Sequence, residues 1–183
     1  MPSPRHMTVV IVLFCALLLL GRQGLVAKLQ TSALVRLISV RMEVLPGELL
    51  SKPSETPYRL GDRPHIKVVV VNESDQPIRV YVVDVYYQNR PRLLRNGQLV
   101  TYKKAATQLI GSKDSDPHFI NMGRTRFVEP YSSAEIQELD LSDWYGPLEP
   151  GSYRLTNRYR AEIYGSWTVD SAPLLFEVVK QRQ

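Results

Sequence analysis

The stretch "KDSDPHF" sets Asp114, Asp116 and His118 at alternate positions. In an extended loop, alternation sends all three side chains to one side. Two carboxylates and an imidazole so placed are a possible metal-ligating set. Calcium takes about six to eight oxygens, and zinc takes roughly three or four close ligands. One such loop supplies too few, and Asp and Pro build turns without any ion. The sequence therefore implies neither a metal nor a cofactor. Catalytic chemistry is equally sparse. His65 and His118 are the histidines outside the N-terminal region, and His65 opens a strand-like run, as an exposed cap would. There is no G-x-S-x-G, no H-E-x-x-H, no C-x-x-C and no Gly-rich phosphate loop. A serine nucleophile would have to recruit an isolated histidine as its base, so the residue types point away from an enzyme.

Charge is more informative. From Val85 to Lys113 there is no acid, yet Arg90, Arg92, Arg95, Lys103, Lys104 and Lys113 are present. From Phe127 to Tyr153 the pattern reverses, with Glu129, Glu135, Glu138, Asp140, Asp143 and Glu149 and no base. Arg154, Arg158 and Arg160 form a second basic stripe near Tyr164 and Trp167. Guanidinium groups fork to acids and stack on aromatic rings. Arg90, Arg92, Arg95, Lys103, Lys104, Arg154, Arg158 and Arg160 are thus the candidate binding residues for an anionic glycan, a membrane surface or an acidic protein. Two plainer explanations stand beside this one. Charges protect exposed strands from stray pairing, and the basic and acidic segments can face each other within one molecule.

The elements that must position these residues read as strands. "VRLISVRMEV" (Val35 to Val44) and "HIKVVVVN" (His65 to Asn72) alternate, with Ile66, Val68 and Val70 on one face. "IRVYVVDVYYQN" (Ile78 to Asn89) has apolar residues on both faces, which fits a central strand or one that switches faces at a bulge. Asn96-Gly97, between Leu93-Leu94 and Leu99-Val100, signals a two-residue hairpin with a type I′ turn. Gly111 to Gly123 reads as an irregular loop. "RTRFVEP" reads as a short strand, and Ser132 to Leu141 as a strand whose Ala134, Ile136 and Leu139 are only partly in phase. A one-turn helix fits "LSDWYG", capped by Ser142, with Trp144 and Tyr145 plugging a corner. The last strand is "APLLFEVVK".

In "LEPGSYRLTNRYRAEIYGSW", Tyr153, Leu155, Asn157, Tyr159, Ala161 and Ile163 share a core face with one polar exception, and Arg154, Thr156, Arg158, Arg160, Glu162 and Tyr164 share a solvent face. "LEPGSYRL" resembles the L-x-P-G-x-Y-x-L entry to the sixth strand of immunoglobulin-like and fibronectin-like sandwiches. "VVVVNESDQPIRV" is similar to an edge found in bacterial exported sandwich domains, including the Bacillus intracellular proteinase inhibitor type. The resemblance implies an all-β, immunoglobulin-like, two-sheet antiparallel sandwich of seven to nine strands, without a long helix. It also implies a corner in which the Tyr153 ring is buried and its hydroxyl bonds a backbone group in the preceding loop. Leu155 stands where an antibody domain carries its second cysteine. A shared sandwich implies no shared task.

Length and composition agree with this. The chain has 183 residues, 44% hydrophobic and 22% charged, with 13 prolines as punctuation. That suits one β domain, expected over residues 35–181 after a tether at 28–34. Arg5 and His6 precede the apolar run Met7 to Gly21, the pattern of a signal peptide ending at Ala27 or of a retained membrane anchor. The one cysteine, Cys15, lies within that run. Removing residues 1–27 takes Arg5 and Arg22 from the 23 basic residues and none of the 18 acidic ones, leaving a net charge of +3. Such a mild excess, on an exported chain, argues against a nucleic-acid partner. "NES" at Asn72 to Ser74 fits a glycosylation sequon. The expected function is an exported, non-enzymatic binding or assembly module of the cell envelope, acting on an envelope protein or an anionic polymer. Membrane contact is expected only through the N-terminal segment. Competing expectations are an inhibitor of an exported protease, presenting the Gly111 to Gly123 loop, and an enzyme without a recognisable motif.

Overall fold

The structure is a computed structural model that describes residues 37–45, 58–115 and 123–180. The expected signal segment and tether, with Cys15, and the residues Asp116 and His118 lie outside the described residues. The fold is β-rich, with three short or medium helices lying wholly within the described residues.

A three-stranded sheet has the order β1-β3-β8, with β1 at Ile38–Val44, β3 at His65–Asn72 and β8 at Ser133–Asp140. A five-stranded sheet has the order β2-β10-β9-β5-β6, with β2 at Tyr58–Arg59, β10 at Leu174–Val179, β9 at Gly151–Tyr159, β5 at Asn89–Arg95 and β6 at Gln98–Val100. A separate ribbon pairs β4 (Ile78–Val82) with β7 (Arg124–Val128). The described strands number ten rather than seven to nine, and they form three sheets rather than two. The pairing of β2 with β10 is parallel, a departure from the all-antiparallel expectation.

Both larger sheets turn apolar faces into one core. Ile66, Val68 and Val70 of β3 are fully buried, as are Leu93 of β5 and Leu155 and Tyr159 of β9. The imperfect phase of β8 has a local cause. Val68 pairs with Gln137 but Val69 pairs with Glu135, so Ile136 is an extra residue in a β-bulge. The bulge lets Ile136 and Leu139, three apart, both face the core.

The stretch Ile78 to Asn89 is not one strand. It breaks at Asp84, whose carboxylate accepts from the N–H groups of Tyr86 (2.9 Å) and Tyr87 (3.1 Å) and so caps a single turn, α1 (Val85–Gln88). The chain then enters β5 in a different sheet. The ambiguous periodicity was a crossing between layers.

The stretch from Lys104 to Ser115 forms α2, a twelve-residue helix, where no long helix was expected. It takes in the first five residues of the expected Gly111 to Gly123 loop, up to Ser115; residues 116–122 lie outside the described residues. The short helix α3 (Leu141–Tyr145) does form at "LSDWY", but its cap is Asp140, which accepts from the Ser142 N–H at 2.8 Å, and not Ser142 itself. Among the described residues, no helix is long and apolar enough to cross a membrane.

Candidate functional site

The hairpin and the corner fix the basic residues in space. Asn96 and Gly97 have φ of 50° and 83°, the left-handed pair that a type I′ turn needs. They set Leu94 opposite Leu99 and Arg95 opposite Gln98. On the other side of the sheet, the buried Tyr153 donates its hydroxyl to the Glu149 carbonyl at 2.6 Å. That bond fixes the entry to β9. The β5–β9 register then pairs Arg90 with Arg158, Arg92 with Thr156 and Leu94 with Arg154. All six side chains fall on the outer face, since their neighbours Pro91, Leu93, Leu155 and Asn157 are buried.

The eight candidate residues are not one site. Arg90, Arg92, Arg154 and Arg158 share this outer face. Arg95 lies on the other parity, opposite Tyr153, and forms an ion pair with Glu149. Lys103 donates to the Ser142 carbonyl at 3.0 Å and lies 3.8 Å from Asp143. The basic hairpin and the acidic segment therefore do meet within one molecule. Lys104 is exposed at the start of α2. The Arg160 guanidinium sits 4.4 Å from both the Tyr87 and the Trp167 ring centroids, and the buried Arg160 Nε has no hydrogen-bond partner.

Within the shared face the four arginines differ. Arg90 is spent. Its Nη2 donates to both oxygens of Asp114 (2.8 and 2.6 Å), its Nη1 donates to the Tyr86 carbonyl at 2.5 Å, and the guanidinium stacks 4.6 Å from the Trp167 centroid. Asp114, one of the metal-loop candidates, is thereby an ion-pair partner. Arg158 meets Asp170 at 3.5 Å, with both side chains about half exposed. Arg92 and Arg154 are exposed and form no ion pair among the described residues.

Beside Arg90, Arg92 and Arg158 runs a groove of about 780 Å³, walled by Leu99, Thr101, Tyr102 and Thr107. A smaller recess of about 270 Å³ continues past Arg92 and Arg154 to Asp170 and Pro173. The groove exists because β6 stops after Val100 and leaves the edge of β5 uncovered there. That edge is closed chemically. Pro91 has no N–H, and its carbonyl accepts from both Tyr102 (2.6 Å) and Tyr145 (2.7 Å). Burial pushes the Tyr145 phenol up, and the Tyr102 phenol in the same direction. Beyond the start of β10, the edge of β9 is closed in the same manner. The N–H groups of Asn157 and Tyr159 donate to Ser171 Oγ (3.1 Å) and Thr168 Oγ1 (3.0 Å).

Asn157, the polar exception on the core face, belongs to a buried amide network that sequence reasoning did not find. Its Nδ2 donates to Asn89 Oδ1 at 2.8 Å, Asn89 donates to Gln137 Oε1 at 2.6 Å, and Gln88 donates to the Tyr81 and Arg160 carbonyls. A network this well satisfied is scaffold. The run Tyr87-Gln88-Asn89 carried no signal, because polar residues beside a turn look exposed in sequence. Trp144 is buried against Tyr86 (4.7 Å between centroids) and Tyr102 (5.6 Å). His65 opens β3, half exposed, with its nitrogens facing Glu138 and Asp140. Asn72 is fully buried, with its amide donating to the Gln76, Val128 and Glu129 carbonyls, so the folded chain does not offer it to a glycosyltransferase.

No family model matches the chain, and no curated protein matches it. Among solved structures, it is similar to a beta-glucosidase from Listeria innocua in complex with isofagomine, at 14% identity, and to the same enzyme in complex with glucose, at 13%. Each alignment covers 78% of this chain and 16% of that one, with a TM-score of 0.34. A likeness this slight bears on neither fold family nor function.

Proposed function

We propose that this chain is an exported, non-enzymatic binding module of the cell envelope, and that the outer face of its five-stranded sheet is the binding surface. The frame we assign is an immunoglobulin-like sandwich. Two sheets sharing one core, and the bond from Tyr153 to the Glu149 carbonyl, support that assignment. The apolar run Met7 to Gly21 supports export.

One observation carries the binding reading. Among the described residues, Arg92 and Arg154, on adjacent strands, have no ion-pair partner on a face where Arg90 and Arg158 have acids of their own. A guanidinium left without an acid beside a groove is free to take one from a partner. The partner is therefore anionic, an acidic protein or polymer of the envelope.

The test is retention of the full-length chain by an envelope fraction at low salt. Arg92→Ser combined with Arg154→Ser is expected to weaken retention about tenfold, as two exposed ion pairs would. The same change at Arg95 and Lys103, which already have internal partners, is expected to do less. Retention that ignores both Arg92 and Arg154 would remove this face as the binding surface.

A further inference from the structure

The identity of the anionic partner can be narrowed from the register of the face, given the reading above that this face binds. The outer side chains of β5 and β9 form three successive rows: Leu94 with Arg154, Arg92 with Thr156, and Arg90 with Arg158. The first row is extended across the sheet. Leu99 of β6 lies opposite Leu94, and Leu175 of β10 lies opposite Arg154. Leu99 and Leu175 are 59% and 70% exposed, so this end of the face is apolar on either side of Arg154 and open to solvent. The other end is cationic.

Successive rows are two residues apart along a strand, roughly 6.8 Å. Arg154 and Arg92 are diagonal neighbours across the seam, as are Arg92 and Arg158, at about 7–8 Å. An extended peptide lying along the seam projects its same-face side chains with the same two-residue repeat. The sheet and such a ligand are commensurate. With an apolar side chain on the first row, a carboxylate on the second row sits between Arg92 and Arg154, and one on the third row between Arg92 and Arg158, without bending either chain.

Backbone pairing is not available to this ligand. The uncovered edge of β5 offers Pro91, which lacks an N–H and whose carbonyl is occupied by two phenols. The facing edge of β9 is occupied by Ser171 and Thr168. Recognition must come from side chains on the face, so the spacing of the ligand's charges matters more than its backbone. Arg158 can join in, since its contact with Asp170 is 3.5 Å long and half exposed and so exchanges readily for a ligand carboxylate.

We infer that the β5–β9 face takes an extended peptide segment of a partner protein that carries acid-x-acid repeats, with an apolar residue at the end that reaches the Leu99–Leu94–Leu175 row. The exposed leucines favour a peptide over a phosphate polymer, which would have nothing to place on them.

The experiment is a titration of the full-length chain with three labelled probes, read by fluorescence anisotropy. The first is an extended peptide, Leu-Thr-Glu-Thr-Glu-Thr, the second a peptide of the same composition with its glutamates adjacent, and the third inorganic polyphosphate. The spaced peptide is expected to bind about tenfold more tightly than the other two. Arg92→Ser/Arg154→Ser is expected to remove that preference, and Leu99→Ser/Leu175→Ser to weaken the spaced peptide several-fold with its salt dependence unchanged. Arg126→Ser on β7 is expected to leave binding as it is. Equal binding of both peptides, or tighter binding of polyphosphate, with continued loss in the Arg92/Arg154 variant, overturns the peptide inference and leaves the basic face standing. No dependence on Arg92 and Arg154 with any probe overturns both.

Discussion

Tyr153 shows how much one atom can fix. Its ring stacks on Phe176 of β10, with centroids 5.1 Å apart and planes within 6°, while its hydroxyl reaches back to the Glu149 carbonyl. Gly151, between these two, has φ of 157° and lies against Arg95, where an added Cβ would meet Arg95 Cγ at 3.0 Å. The turn, the corner and the Arg95–Glu149 pair therefore form one unit at the start of β9. Removing the hydroxyl while keeping the ring isolates the bond. Tyr153→Phe is expected to cost about 1 kcal/mol, the net worth of one hydrogen bond. Urea unfolding should show a lower midpoint with an unchanged slope. An unchanged midpoint would mean that the ring alone makes the corner.

At the scale of elements, Arg90 is the joint between α2 and the sheets. It reaches α1 through the Tyr86 carbonyl, α2 through Asp114 and the 160–170 segment through Trp167. Lysine in its place keeps the charge but has one nitrogen where Arg90 uses two, Nη2 for Asp114 and Nη1 for the Tyr86 carbonyl, and it loses the flat stacking surface. Arg90→Lys is expected to loosen α2 by about 1 kcal/mol, and hence to speed amide exchange in Lys104–Ser115 roughly fivefold while the core strands stay protected. Uniform faster exchange would point instead to global destabilisation. The same helix shows where sequence reasoning ran out. α2 buries only Ala106 fully and contains Thr, Gly and Ser, so it has no apolar stripe to announce it. It is held by contacts from elsewhere, Arg90 above all. By contrast, Asn96-Gly97 was legible because its backbone requirement is local, and Tyr153 because a corner needs a turn, a ring and a short loop within a few residues. The candidate site was half legible. The basic residues could be counted, but which of them are spent depends on partners far along the chain, such as Asp114, Glu149 and Asp170. That division follows from contacts with a helix and two loops, which no linear pattern states.

On the scale of the whole molecule, buried tyrosine rings line the core and its margins. Tyr58 stands on β2, Tyr159 on β9 donates to the Tyr81 carbonyl of β4 at 3.1 Å, and Tyr102 and Tyr145 close the edge of β5. Burial raises the phenol pKa of each of these tyrosines, and for Tyr58 the value reaches about 12 against an ordinary 10.0. The sign follows directly. A folded-state pKa above the unfolded one means that the folded chain holds its proton more tightly. This stabilising contribution is fully present below pH 10 and is lost as pH rises from the unfolded value towards the folded one. Tyr58 contributes to that loss across the window from 10 to about 12, and the others add to it. Because these rings share one core and its margins, the loss should be felt by all the sheets together. The urea midpoint is expected to hold steady up to pH ~9.5 and to fall steeply by pH ~11.5, in a single transition seen alike by tyrosine absorbance and far-ultraviolet circular dichroism. Tyr58→Phe should flatten the fall. Two separated alkaline transitions would mean that the β4–β7 ribbon unfolds independently of the five-stranded sheet, in spite of the bond that Tyr159 makes between them.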